Sequence, residues 1–227
     1  MEANVVDIKS LRIFFSYSSS DRKIVGGIKD YLERMGFEVF LAHEDISPGE
    51  EWQQQIIKNL KRCDIFIPLL TNDFKNSEWT DQEIGIALTD DKFIIPLQVD
   101  IVPYGFIGKI QSLKINKDDL KNTADDIFRL IKNQSPFKES MKDFIINALA
   151  ISRNFEQAKV RSKLLMEFEN FSSEQIHRIF EAAMRNNQVY GSFGAQDVLK
   201  KLFEKYKNYL KEEEYKEVME KLKRGDN

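Results

Sequence analysis

The stretch Cys63-Asp64-Ile65-Phe66-Ile67-Pro68-Leu69-Leu70 decides the fold. A strand with one face in water alternates apolar and polar residues, whereas Ile65 to Leu70 are apolar without a break. A continuous run of this length marks a strand at the centre of a parallel sheet, with helices covering both faces. Short runs of the same kind lie on either side of it: Leu11 to Tyr17, Phe37 to Leu41, Phe93 to Val99, and a weaker one at Leu113 to Ile115.

Amphipathic segments separate these strands. Ile24, Ile28, Tyr31, Leu32 and Met35 recur at helical spacing and are followed by Gly36, a residue suited to the left-handed turn that ends a helix. A second helix is expected from Glu51 to Lys61, carrying Trp52, Ile56, Ile57 and Leu60. A third is expected from Glu78 to Leu88, with Ser77 as its capping candidate. Asn116 is expected to open the last one, whose inner side holds Leu120, Ile127, Leu130 and Ile131 and which closes near Lys132. Strands alternating with helices give an α/β fold, here a flavodoxin-like five-stranded parallel sheet over residues 10–134, preceded by a short N-terminal extension at 1–9.

Beyond Ser135-Pro136 the strand-like runs stop, and residues 135–227 read as a smaller all-α unit. Phe144, Ile145, Ala148 and Leu149 form one stripe. Ser172-Ser173-Glu174-Gln175 has the form of a capping box before Ile176, Ile179 and Phe180. The segment Tyr190 to Gly194 reads as a turn before a Lys- and Glu-rich helix carrying Val198, Leu199, Leu202, Phe203 and Tyr206, and the end from Arg224 to Asn227 is expected to fray.

The formal charge of −3 over 227 residues gives no basic surface for a nucleic acid, and no apolar stretch approaches the roughly 20 residues of a membrane span. The one cysteine, Cys63, has no partner for an internal disulfide, and its apolar surroundings predict a buried thiol in a reducing cytoplasm. His43 and His177 stand alone, so no metal site is expected. GxGxxG, GxxxxGK[ST] and G-x-S-x-G are all missing, which argues against a dinucleotide dehydrogenase, a P-loop enzyme and a serine hydrolase.

In open parallel sheets, ligands bind beyond the carboxyl ends of the strands where the strand order reverses. The loop after the first strand, Ser18-Ser19-Ser20-Asp21, either caps the following helix or offers its backbone N–H groups to a phosphate, and both roles fit in one loop. Glu83 lies near the start of the third helix with Trp79 four residues earlier on the same helical face. An aromatic neighbour partly desolvates a carboxylate and offers a surface on which a ring can stack. From spacing alone, a solvated helix glutamate is the default reading, and Gly85 is expected to let this helix pack closely on the sheet. The loop His43 to Glu50 contains the turn Pro48-Gly49 and acidic residues that are ordinarily solvated.

Three separated motifs then agree: Arg12-Ile13-Phe14-Phe15-Ser16-Tyr17-Ser18 followed by Asp21; Asp45-Ile46-Ser47-Pro48-Gly49-Glu50-Glu51-Trp52; and Ser77-Glu78-Trp79 with Glu83. Together they resemble a Toll/interleukin-1 receptor (TIR) domain of the bacterial type, over about residues 10 to 133. The resemblance implies that Glu83 is the catalytic carboxylate of an NAD-cleaving enzyme, a hydrolase of the NAD glycohydrolase or ADP-ribosyl cyclase kind. It implies that Ser19, Ser20, Asp45, Pro48 and Trp79 border the dinucleotide. NAD is then the substrate, and no cofactor is required.

It further implies self-association through TIR domains, a companion effector or sensor protein, and signalling in antiviral defence as in Thoeris-like anti-phage systems. Nicotinamide leaves a cationic pyridinium as a neutral molecule and needs no general acid, so one carboxylate suffices, unlike the pair used by ordinary glycosidases. A non-enzymatic TIR scaffold and a nucleotide sensor without turnover are the competing readings. The helical unit matches no family by its motifs and suits regulation, sensing, self-association or simple stabilisation.

Overall fold

The computed structural model describes residues 10–41, 52–77, 79–134 and 137–223. Two compact units divide it: Ser10–Glu33 with Phe37–Ile131, and Arg34–Gly36 with the chain from Lys132 onward. The division falls inside the last helix of the α/β unit, a few residues before the 134/135 junction expected from composition. Lys132, which falls with the helical unit, bonds the Glu167 carbonyl at 3.0 Å and the Glu167 carboxylate at 3.1 Å.

The first unit is a parallel sheet flanked by helices. Its strands are β1 (Arg12–Ser16), β2 (Glu38–Leu41), β3 (Ile65–Leu70), β4 (Phe93–Ile94), β5 (Leu97–Gln98) and β6 (Leu113–Lys114), in the order β2-β1-β3-β5-β6 with β4 also on β3. The expected single strand Phe93 to Val99 is therefore interrupted. Ile65 pairs with Phe93 and Leu69 with Leu97, a constant offset of 28 residues that sets Pro68 opposite Pro96. Neither proline has an N–H to give, so the ladder breaks there without a change of register. All six residues of β3 are buried, as the unbroken apolar run requires.

Side chains alternate along β1, so Phe14 and Ser16 share one face of the sheet. Phe14 packs there with Phe66, Leu70, Ile56, Leu60, Ile84 and Ala87. The last four of these come from α2 (Trp52–Arg62) and from a helix at Thr80–Thr89. Ile13 and Phe15 point the other way and are equally buried. On α1 (Arg22–Met35), Val25, Ile28, Leu32 and Met35 are buried, and Gly36 follows at φ +117°, the left-handed conformation its position predicts.

Three local expectations change. A short helix, α3 (Asn72–Lys75), follows β3, and α4 (Thr80–Thr89) starts after it. The residue capping α4 is Trp79 and not Ser77, since Ser77 precedes the cap and Thr80 ties the helix start to the Phe74 carbonyl at 2.8 Å. The final helix, α5 (Leu120–Asn133), begins after Asp119, whose carboxylate accepts the Asn122 amide; Asn116 bonds the Asp118 amide in the preceding turn. Finally, a Cβ built on Gly85 meets no described atom within 4 Å, so close packing on the sheet is not what that glycine serves.

The second unit contains α6 (Met141–Ala150), α7 (Phe155–Leu165), α8 (Ser173–Arg185), α9 (Asn187–Tyr190), α10 (Phe193–Lys205) and α11 (Glu212–Lys221). The capping box before α8 is formed: the Gln175 amide donates to the Ser172 hydroxyl, and the Ser172 amide to the Gln175 side chain, each at 3.1 Å. The segment Tyr190 to Gly194 is not one turn. Only Gly191 and Ser192 separate α9 from α10. No helix among the described residues is long and apolar enough to cross a membrane.

Candidate active site

The strand order reverses between β1 and β3, and the site lies at the carboxyl ends of those two strands. Ser16 closes β1 and is fully buried. Because it shares a face with Phe14, it looks toward the layer that holds α4, where Glu83 occupies the first turn. The Ser16 hydroxyl donates to Glu83 Oε2. Glu83 is only 5% exposed, and this burial pushes its carboxyl up from an ordinary 4.5 to about 7, with the bond from Ser16 acting in the opposite direction. A carboxyl group so placed changes charge near neutral pH, a property of groups that bear on chemistry more often than of surface glutamates.

Aromatic residues stand at the entry to the same helix. Trp79, half-buried, meets Trp52 of α2 edge to face, with ring centroids 4.4 Å apart. Trp52 is 41% exposed, so the pair presents indole surface to solvent. Asp81, one turn before Gly85, accepts the Tyr104 hydroxyl at 2.8 Å, and Lys75 lies over the Tyr104 ring at 5.6 Å.

The serine loop is built differently from a simple phosphate cradle. Ser18 makes no capping bond through its side chain, and its hydroxyl lies 3.1 Å from that of Ser20. Ser20 in turn donates to Asp73 at 2.7 Å. Thr71, at the N-terminus of α3, donates to the buried Asp21 at 2.6 Å and accepts the Phe74 amide at 3.1 Å. Burial raises the Asp21 carboxyl; Thr71 and Lys117 lower it, and Asp73 and Asp100 raise it further. The Ser20 hydroxyl is thus already bonded to a carboxylate, and Asp21 beside it is bonded by Thr71. Ser19 is exposed on the same turn.

Ser20, Trp79 and Glu83 are thus placed on neighbouring elements at one end of the sheet, whereas Asp45 and Pro48 lie outside the described residues. Ser16 and Trp52 stood inside the sequence motifs without being singled out for the site. Thr71 and Asp73 carried no sequence signal. Among the described residues no cluster of three or more His, Cys, Asp or Glu is arranged to hold a metal ion. An open cavity of about 500 Å³ lies in the helical unit, lined by Arg178, Glu181, Arg185 and Asn186 among others, and includes none of these residues.

A family model described as TIR domain matches residues 13–131, more than half of the chain. The chain belongs to the TIR domain family. The match covers β1 from Ile13 onward and every later strand of the sheet, together with Ser16, Trp52, Trp79 and Glu83. One relative of this TIR protein is a probable 2' cyclic ADP-D-ribose synthase of Methanobrevibacter olleyae, 23% identical over 139 residues, covering 57% of this chain and 41% of that protein. A second, with the same description and from Brachypodium distachyon, is 24% identical over 93 residues, covering 40% of this chain and 42% of that protein. The chain spans about two fifths of the length of these curated relatives. A solved structure, the TIR domain of the Toll-related receptor TRR-2 from Hydra magnipapillata, is 26% identical over 53% of this chain and 98% of that one, with a TM-score of 0.45.

Proposed function

We propose that this TIR protein breaks the nicotinamide–ribose bond of NAD with Glu83 as the catalytic carboxylate. The observation that carries the reading is the buried Glu83 carboxyl, held by Ser16 at the carboxyl end of the sheet and brought close to neutrality by its surroundings. The names of the two relatives support it. In the reaction the ribose C1–nitrogen bond breaks, and nicotinamide takes the bonding pair and departs uncharged. Positive charge develops on the ribose, and the Glu83 carboxylate stabilises it or holds the ribose hydroxyls. A new C1–oxygen bond then forms to water, giving ADP-ribose, or to a nucleophile within the same molecule, giving a cyclic ADP-ribose.

In this reading NAD is consumed as substrate and no cofactor takes part. Trp79, supported by Trp52, supplies a face for the planar ring. Ser19 and Ser20 border the dinucleotide, as do Asp45 and Pro48 from the loop after β2. The protein acts in the cytoplasm, which suits its buried free Cys63, and assembles through its TIR domains with a companion effector or sensor. Its biological setting is anti-phage signalling of the Thoeris kind.

A non-enzymatic scaffold is the second reading. Val102 and Phe106, 64% and 87% exposed after β5, favour it, because exposed apolar side chains suit a protein contact. Product analysis separates the two. Concentrated protein incubated with NAD releases nicotinamide together with ADP-ribose or a cyclic product if the first reading holds. If NAD survives intact in demonstrably assembled protein, the scaffold takes its place.

A further inference from the structure

We propose that Ser16 is a positioning residue for Glu83, its hydroxyl holding carboxylate oxygen Oε2 and leaving Oε1 for a ribose hydroxyl of the dinucleotide. The inference rests on the NAD-cleaving reading for its ligand but not for its geometry. Ser16 is the last residue of β1, lies in register with Pro68, and is sealed from solvent beside an otherwise apolar layer. A hydroxyl in such a place needs a partner, since an unbonded one is costly to bury. Its partner is Glu83, 67 residues away in sequence. Among the described residues no other hydrogen bond reaches the Glu83 carboxylate.

A donor aimed at a carboxylate favours its charged form and restricts its rotamer. Besides β1, whose Ser16 reaches Glu83, the described elements packed most closely on α4 are α2, α3, β3 and the 3-10 turn Gly105–Ile107. Their ionisable residues are Lys58, Lys61 and Arg62 on α2 and Asp73 and Lys75 on α3, and α4 itself carries Asp81. Burial raises the Glu83 carboxyl and the bond from Ser16 lowers it, and among the described residues none of these charges adds to either effect. Among the described residues, the Ser16 hydroxyl is therefore the group that offsets the cost of ionising this carboxyl.

The test replaces Ser16 in the full chain by Ala and, to keep the volume filled, by Cys, a much weaker donor. Two quantities are followed: the acidic limb of nicotinamide release, and the titration of the Glu83 carboxyl by carbon-13 NMR, assigned by the signal lost in Glu83→Gln. Both variants are expected to titrate about one pH unit higher. Activity then falls about fivefold at pH 7 and about tenfold at pH 6, and recovers above pH 9, with KM nearly unchanged. An unmoved titration, or an equal loss at every pH, overturns the positioning role. Should Ser16→Ala not fold, Ser16→Cys decides by the same readouts. If the wild type releases no nicotinamide, the enzymatic reading fails by itself, and the NMR titration still reports whether Ser16 governs Glu83.

Discussion

Ser16 and Glu83, one at the end of the first strand and the other in the first turn of α4, share a proton-donating contact inside the α/β unit. The carboxyl is nearly sealed from water and titrates at about 7, against 4.5 in an ordinary setting. Linkage gives the sign of the consequence. Below about pH 4.5 the group is neutral in the folded and unfolded chain alike, and its burial adds no ionisation cost. Between 4.5 and 7 the unfolded chain ionises first, so stability falls as pH rises, and the loss is complete above 7. Glu83→Gln is accordingly expected to stabilise the protein by roughly 2 to 3 kcal/mol at pH 8.5 and by little at pH 4.5. Urea unfolding at the two pH values measures the difference; wild type gaining on the variant as pH rises contradicts it.

The Trp52–Trp79 pair joins α2 to the entry of α4 at 4.4 Å between centroids. Edge-to-face pairs of this kind contribute about 1 kcal/mol beyond the area they bury. A double-mutant cycle with Trp52→Ala and Trp79→Ala should give a coupling energy of about that size in chemical unfolding. Strict additivity of the two losses removes any role for Trp52 in holding Trp79. In NAD turnover, Trp79→Ala is expected to raise KM, because it removes the ring face proposed to hold the planar ring of the substrate.

Cys63 donates its thiol to the Leu60 carbonyl at 3.0 Å, and burial pushes it up to about 12. A thiol that holds its proton is a poor nucleophile. Iodoacetamide at pH 8 should leave the native chain unlabelled over hours and modify it fully in denaturant, as read by intact mass. Rapid stoichiometric labelling of the native protein contradicts the buried, protonated thiol.

Gly85 sits in the interior of α4 with no described atom where a Cβ would go. Glycine at such a position costs about 0.5 to 1 kcal/mol relative to alanine. Gly85→Ala is expected to be more stable by that amount in urea unfolding. A destabilised variant means that a neighbour occupies the space.

The unbroken apolar run of β3 made the sheet legible, because burial on both faces leaves no polar positions in a strand. The helix stop at Gly36 and the capping box at Ser172 were legible for a similar reason, as each needs particular residue types at fixed offsets. The break between β4 and β5 was not. It depends on Pro96 falling opposite Pro68, which only the register reveals. Ser77 and Asn116 had the right chemistry for caps but stood too early in the chain, where other turns use them.

At the site, Glu83 stood out through its motif, whereas its burial did not, since an isolated helix glutamate reads as solvated. Ser16 carried a weak signal: in Phe14-Phe15-Ser16 the two-residue period puts its hydroxyl on the face of Phe14, where a polar group needs a distant partner. The tie between Ser20 and Asp73 joins the turn after β1 to α3, 53 residues apart, and left no trace in the pattern.

The measurement that bears most directly on the central claim is the rate of nicotinamide release from NAD at pH 8 by concentrated wild type and Glu83→Gln, with both proteins shown to be folded and assembled. The account predicts release by the wild type and a loss of at least about a hundredfold in the variant, the scale on which a charged group that stabilises a transition state is felt. Equal rates in the two proteins, or intact NAD in both, contradict it.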